Sequence, residues 1–508
     1  MTNKKQLSVN LIANIASYSV NIIISFFLTP YLIRVLGKET YSFYPIANNF
    51  VQYMSIVTIA LNSMASRFIT IEIAKRNFKK AGVYFSSVFY SNIILSSILL
   101  IPMTATVIFL EKLLNIPIDM VLSIKILFIL VFASMLINIV TSVFSVAVFA
   151  RNRIDLRSIA DIIHSVLKLI LYVVLFYLFV PNIIYVGSIS VALALITFLI
   201  HWIYTRRLLP DIHIRRSDFD VCAIKEILSS GIWNSINQIG SALMFSLSIV
   251  YCNVLVSTAA GGEYSIIQTV PNFINGIIST LAAVFIPAVT QTYATKPIED
   301  VVSEIKMSQK IMGIITNVPI VIFMVIGVDF YRLWVPGENA MRLHILSILT
   351  IFHLLFIGVT WTVANLNTVL NKVKVPALYL IGSGIVNFFL VLALTKFTNL
   401  GVYAIPLSSA IILFIWAAFF IPLYPCKVLN IKWNTFYPAI YKMLISSALL
   451  LGITFSLRRI ISVHSWLGLI AFCILCGCIG LLINLMISLS KSDRQQFFNK
   501  LLSKIKKA

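Results

Sequence analysis

The sequence predicts an all-α polytopic membrane protein of about 14 transmembrane helices, in two pseudo-symmetric six-helix lobes plus a C-terminal helix pair. Three observations predict it. Hydrophobic residues make up 60% of the 508 and charged residues only 11%, with mean hydropathy +0.98. Soluble domains lie near roughly 45–50% apolar and about 25% charged. Apolar runs long enough to cross a hydrocarbon core about 30 Å thick recur along the whole chain. Finally, a stretch near residue 40 returns near residue 262.

Because open strands cannot satisfy their backbone groups in lipid, these runs must be helices. The first six fall at 8–33, 43–68, 83–110, 120–150, 158–181 and 183–205. The next six are 227–255, 264–289, 305–328, 341–370, 375–396 and 401–424, and a last pair lies at 438–457 and 466–490. The opening "MTNKKQLSVNLIANIASYSVNIIISFFLTPYLI" is basic and then apolar for too long to be a signal peptide, with no small-residue cleavage site behind it. It reads as a retained first span. With the N-terminus cytoplasmic, 29 of the 39 basic residues fall on the inner side. Nine (Arg34, Lys38, Lys112, Lys125, Arg332, Arg342, Lys396, Arg458 and Arg459) fall outside, and Lys168 is left within a span. That excess agrees with the positive-inside rule and places both termini in the cytoplasm.

The repeat organises the domains. "ETYSFYPIANNFVQY" at 39–53 resembles "GEYSIIQTVPNFING" at 262–276, and the same offset of 223 sets Asn14 on Asn237. Six spans separate the copies, so both run in one direction, as in transporters whose halves are related by an axis along the membrane normal. The expected plan is an N-terminal lobe at 1–206, a cytoplasmic linker at 207–226, and a second lobe at 227–425. The additional helix pair follows at 426–490, then a basic cytoplasmic tail at 491–508. Phe497, Phe498, Leu501, Leu502 and Ile505 would share one face of an interfacial helix in that tail.

Much chemistry is excluded. There is no GxxxxGK[ST], no HExxH and no GxGxxG after a strand, so no cofactor is expected. No insertion exceeds about 20 residues, so no ATP-hydrolysing domain fits; the longest outer loop, 328–339, is small for an external enzyme. "GSG" at 382–384 lies within a span and suits close helix approach. Cys473, Cys476 and Cys478 sit in the apolar "LIAFCILCGCIGLLINLMI" and read as packing residues rather than metal ligands. The net charge of +22 is spread over short segments between apolar runs, which points to lipid headgroups and not to nucleic acid.

Intramembrane polar groups are costly, so each is a functional candidate. In span one Asn10, Asn14, Ser17 and Asn21 recur at spacings of 4, 3 and 4, which lines one helix face. Span seven answers with Asn234, Asn237, Gln238 and Ser241. These serve either as interhelical hydrogen bonds or as the wall of a water-filled cavity. Span five carries Arg157, Asp161, His164 and Lys168 at the same spacing. Lys168 lies about 16 Å beyond Arg157, near the midplane, too deep for its stem to reach a headgroup. It needs a cavity or a partner, and no acidic residue lies at matching depth in any other span.

Three stretches carry a family resemblance: "NLIANIASYSVNIIISFFLTPYLIRVLGKETYSFY", "LNSMASRFITIEIAKRNFKKAG" and "NTVLNKVKVPALYLIGSGIVNFFLVLALTKFTNLGVYAIPLSSAI". Asn371, Lys372, Lys374, Asn387 and Gly401 of the third fall in the family pattern. The chain resembles oligosaccharide-lipid flippases of the multidrug/oligosaccharidyl-lipid/polysaccharide exporter superfamily, which move O-antigen, capsule or exopolysaccharide repeat units. The resemblance covers spans one to twelve. It implies a V-shaped bundle in the bacterial cytoplasmic membrane, working by alternating access. The implied cargo is a polyprenyl-diphosphate-linked oligosaccharide passed to the outer leaflet, with polysaccharide assembly proteins as partners. A diphosphate needs cations and sugars need amides; Lys168, Arg67 and the asparagine faces supply both. The alternatives are a lipid II flippase and a multidrug exporter of the same superfamily, with an outer-face polymerase behind them. Cation exporters typically use intramembrane carboxylates, whereas all 17 acidic residues here lie in loops or near span ends.

Overall fold

The computed structural model describes residues 3–370 and 372–489, so the tail helix expected around 497–505 lies outside the described residues. Every regular element among them is helical. The first unit supplies α1 (Asn3–Leu36), α2 (Lys38–Ala74), α3 (Phe78–Ile108), α4 (Val121–Thr141), α5 (Ile154–Leu178), α6 (Ile183–Leu208) and α7 (Val221–Ser241). Then come α8 (Thr269–Thr295), α9 (Ile298–Trp334), α10 (Ala340–Val369), α11 (Lys374–Phe397), α12 (Ala404–Ile415), α13 (Tyr437–Ile460) and α14 (Trp466–Ser488).

Thirteen stretches among the described residues are long and apolar enough to cross a membrane. The expected span at 264–289 is not one of them: it is split into Thr258–Ile267 and α8, which meet at Gln268. Elsewhere helices outrun the apolar limits. At 37 residues each, α2 and α9 extend about 55 Å. Hydropathy registers only the lipid-facing part, while the backbone stays helical through the charged ends. The same effect shortens the loop expected at 328–339, because α9 continues to Trp334.

The chain folds as two compact units, residues 1–265 with 377–388, and residues 266–376 with 389–508. In the first, a core forms where Leu61, Ile69, Tyr84, Phe85 and Phe144 meet Leu209, Ile212, Ala223 and Ile227. The segment read as a linker is therefore part of a core. Serines of α3 hold its backbone: Ser86 Oγ accepts from Arg215 N at 3.2 Å and Ser87 Oγ from Asp220 N at 2.9 Å. Segment 377–388 joins this unit through close helix approach. A Cβ on Gly384 would stand 2.5 Å from Leu243 Cβ, and one on Gly240 2.9 Å from Leu380 Cγ. Of the two glycines in "GSG", Gly384 makes the approach; a Cβ on Gly382 would meet nothing.

The second unit is tied at three levels. Ser308 Oγ donates to Thr362 Oγ1 at 2.9 Å, joining α9 to α10. Deeper, Asn317 Nδ2 donates to Ser446 Oγ at 3.2 Å and Asn484 Oδ1 at 3.1 Å, while Ser447 Oγ donates to Asn317 Oδ1 at 2.8 Å. At the far end Arg458 grips Asp329 through Nε at 2.6 Å and Nη2 at 2.7 Å. The C-terminal helix pair is thus bolted to α9.

Candidate functional site

The site grows from α5. Its buried face carries Ser158, Ala160, Ser165, Tyr172 and Phe176, which pack on α1 and α6: Phe176 stacks on Tyr31 at 6.3 Å between centroids and meets Tyr185 at 6.3 Å. That fixes the rotation of the helix about its axis. Arg157, Asp161, His164 and Lys168, three or four residues apart, line up along the flank of that face, with Tyr172 one turn beyond Lys168. Arg157 and Asp161 are exposed; His164 and Lys168 are half-buried.

Lys168 finds an aromatic partner. Its Nζ stands 6.0 Å from the centroid of the Tyr44 ring on α2, at the outer limit of cation–π range. Around the Tyr44 phenol gather Asn48, Ser190 and Tyr172. Among the described residues no carboxylate lies within ion-pair distance of Lys168. His164 Nδ1 lies 3.2 Å from Thr197 Oγ1 on α6, and Asn21 Nδ2 reaches Ser165 Oγ at 3.5 Å. Four helices thus bring one cation, an imidazole, an amide, hydroxyls and tyrosines to a common place. Such a set can hold an anion and hydrogen-bond sugar hydroxyls.

The polar rows separate. Asn10 is buried: its Oδ1 accepts from Asp155 N and its Nδ2 donates to Asn152 O, both at 3.0 Å. It is a structural bond. Asn14 and Asn21 of the same row are exposed. On α7 Asn237 is exposed and Gln238 half-buried, and the Asn234 side chain lies outside the described residues. Arg67 on α2 is exposed and makes no ion pair among the described residues. The Arg157–Asp161 contact is 4.0 Å long between side chains 69% and 53% exposed, so it contributes little. The strong pair at this end is Arg153 with Asp155, at 3.0 and 2.9 Å. Sequence reading passed over it and over Tyr44. A two-residue spacing does not face itself on a helix, so Arg153–Asp155 forms only because Arg153 precedes the helix. Tyr44 had one available signal, its place one turn into a span beside the repeated Tyr41.

Comparison with known proteins now bears on this fold. Residues 7–293 match the family model described as "Polysaccharide biosynthesis protein". The chain belongs to that family. This family member is 24% identical over 498 residues, 96% of its length and 97% of the relative's, to the uncharacterized membrane protein EpsK of Bacillus subtilis (strain 168). Its fold matches a multidrug resistance MATE family transporter of the MOP superfamily in an inward-facing conformation. There the TM-score is 0.67 at 14% identity, over 82% of this chain and 97% of that one. It also matches the lipid II flippase MurJ in an inward closed conformation, TM-score 0.66 at 14% identity, over 97% and 99%. The polysaccharide biosynthesis protein described here is a multi-pass membrane protein with the fold of MOP-superfamily transporters.

Proposed function

We propose that this protein flips a polyprenyl-diphosphate-linked oligosaccharide from the inner to the outer leaflet of a bacterial cytoplasmic membrane, by alternating access between lobes 1–206 and 227–425. The observation that carries the reading is Lys168: a midspan cation over Tyr44, without a carboxylate within ion-pair distance among the described residues. An uncompensated ammonium at this depth is costly unless water or an anionic cargo meets it. It lowers the cost of carrying diphosphate charge through a region of low dielectric, where charges interact more strongly than in bulk water. Asn14, Asn21, Asn237, Gln238 and His164 offer amide and imidazole groups to sugars, and Arg67 and Arg157 a cationic approach from the inner side. No reacting pair is called on, so the protein acts as a transporter and not an enzyme.

Lys168→Ala should leave protein levels normal while lipid-linked oligosaccharide accumulates on the cytoplasmic leaflet. Lys168→Arg should keep most transport and Lys168→Glu the least. Wild-type export by a stably inserted Lys168→Ala protein would overturn the reading. Orientation is checked separately: reporters after Lys38 and Gly337 should lie outside, those after Lys80, Arg216 and Ala508 inside. A cytoplasmic signal at Gly337 would break the topology.

A further inference from the structure

The C-terminal half of α6 runs toward the end of the first unit that the basic-residue count assigns to the cytoplasm. Leu195, Leu199, Trp202 and Ile203 on it are 40 to 51% exposed, and their spacing of 4, 3 and 1 sets them on one helix face. Aliphatic and indole side chains left this open on a spanning helix meet acyl chains, with the indole near the headgroups. Arg206 follows one turn beyond Trp202, its guanidinium carbon 5.6 Å from the centroid of a Trp202 ring, within cation–π range. Arg207 follows one turn beyond Ile203, and both arginines are exposed. A helix C-terminus carries negative partial charge and would by itself repel an anion. Here Arg151, in the turn that precedes α5, reverses that. Its Nε donates to Leu208 O at 3.0 Å, covering a carbonyl of the last turn. Three arginines therefore gather at one helix end. Asp155 is taken by Arg153, and Asp161 faces Arg157. Neither Asp211, exposed just beyond the helix, nor any other carboxylate among the described residues lies within ion-pair distance of Arg151, Arg206 or Arg207.

We propose that this end of α6 binds one acidic phospholipid of the inner leaflet. Its phosphate rests among Arg151, Arg206 and Arg207, Trp202 lies beneath it, and an acyl chain follows Ile203, Leu199 and Leu195. Guanidinium groups give phosphate oxygens short charge-assisted hydrogen bonds, which supplies the affinity. The lengths agree as well. Leu195 is 11 residues from Arg206, about 16 Å along the axis, and one leaflet of a hydrocarbon core about 30 Å thick is about that deep. Charge supplies the selection: a choline headgroup would bring a second cation against three arginines, whereas a glycerol headgroup brings only the phosphate. The same arginines disfavour a second copy of this chain, which would face them with its own. An acidic protein docking from the water would leave the apolar stripe unused. The site needs neither Lys168 nor the transport reading.

The test uses phosphatidylglycerol with brominated acyl chains, which quench indole fluorescence on contact, against brominated phosphatidylcholine. The full chain is placed in bilayers of unbrominated phosphatidylcholine without polyprenyl lipid. The Trp202 signal is the emission of each protein minus that of its Trp202→Phe counterpart. In the wild type, phosphatidylglycerol should quench it at roughly a tenth of the mole fraction that phosphatidylcholine needs. Arg206→Gln and Arg207→Gln should each cut that preference about fivefold. Arg206→Lys should keep most of it, and high salt should weaken it. Equal quenching by the two lipids in the wild type, or a preference that survives Arg206→Gln/Arg207→Gln, overturns the site. So does quenching by neither lipid, the result expected if a second copy or another protein covers α6. Lys168→Ala should leave the preference at its wild-type value whatever it does to export, so the lipid site and the cargo reading fail separately. A preference lost with Lys168→Ala would move the headgroup to α5 and overturn the site on α6.

Discussion

Helices α5 and α10 are both apolar, both about as long as a membrane is thick, and yet opposite in kind. In α10, 72% of the membrane-crossing window is buried inside the protein, and in α9 61%. In α5 the figure is 22% and in α1 28%. The polar residues follow that division. On α9 Ser308, Asn317 and Asp329 are buried, and each is bonded to a named partner. On α5 the row from Arg157 to Lys168 stays partly open, with one loose ion pair and one distant aromatic contact. A polar group inside a membrane protein is structural when protein surrounds and satisfies it. It is a candidate for cargo or water when it is left half-covered.

That contrast makes predictions that can break it. Asp329→Ala should have the largest effect on folding, leaving Arg458 half-sheltered without its carboxylate. The cost should be about 2–3 kcal/mol, below the figure for fully buried pairs because a quarter of the Arg458 side chain is exposed. Thermal unfolding in detergent would read it as a lower midpoint. Asn317→Leu comes next at about 1–2 kcal/mol, since Ser446, Ser447 and Asn484 all lose a partner. If either substitution left stability untouched and removed export alone, α9 would be the transport helix and the contrast would fail. The smallest effect belongs to Asp161→Asn, which should change stability by less than about 0.5 kcal/mol, as an exposed pair predicts. A marked loss of folded protein there would show that the open face of α5 is structural after all.

Much of this was legible in the sequence, for a plain reason. The bilayer permits only helices, and their lengths follow from apolar runs, so fold class and the placing of most spans needed no tertiary information. Where those limits erred, at Gln268 and at the C-terminal end of α9, the helix broke or continued for reasons that hydropathy does not measure. The candidate site was half legible. Spacing alone put Arg157, Asp161, His164 and Lys168 on one face, because 3.6 residues make a turn. It could not say that Asn10, in register with Asn14 and Asn21, would be sealed by Asn152 and Asp155.

What the sequence by itself determined is the set of helices, the odd cation among them and the repeat, all properties of a chain read along its own length. Only the tertiary structure decided which polar residues are satisfied. It folded the segment at 209–227 into a core, put Tyr44 under Lys168, and fixed the π segments of residues 242–256 against α2 and Asn115. Each of those outcomes depends on groups 65 to more than 190 residues apart meeting within hydrogen-bond or contact distance, and helical periodicity carries no information on such pairings.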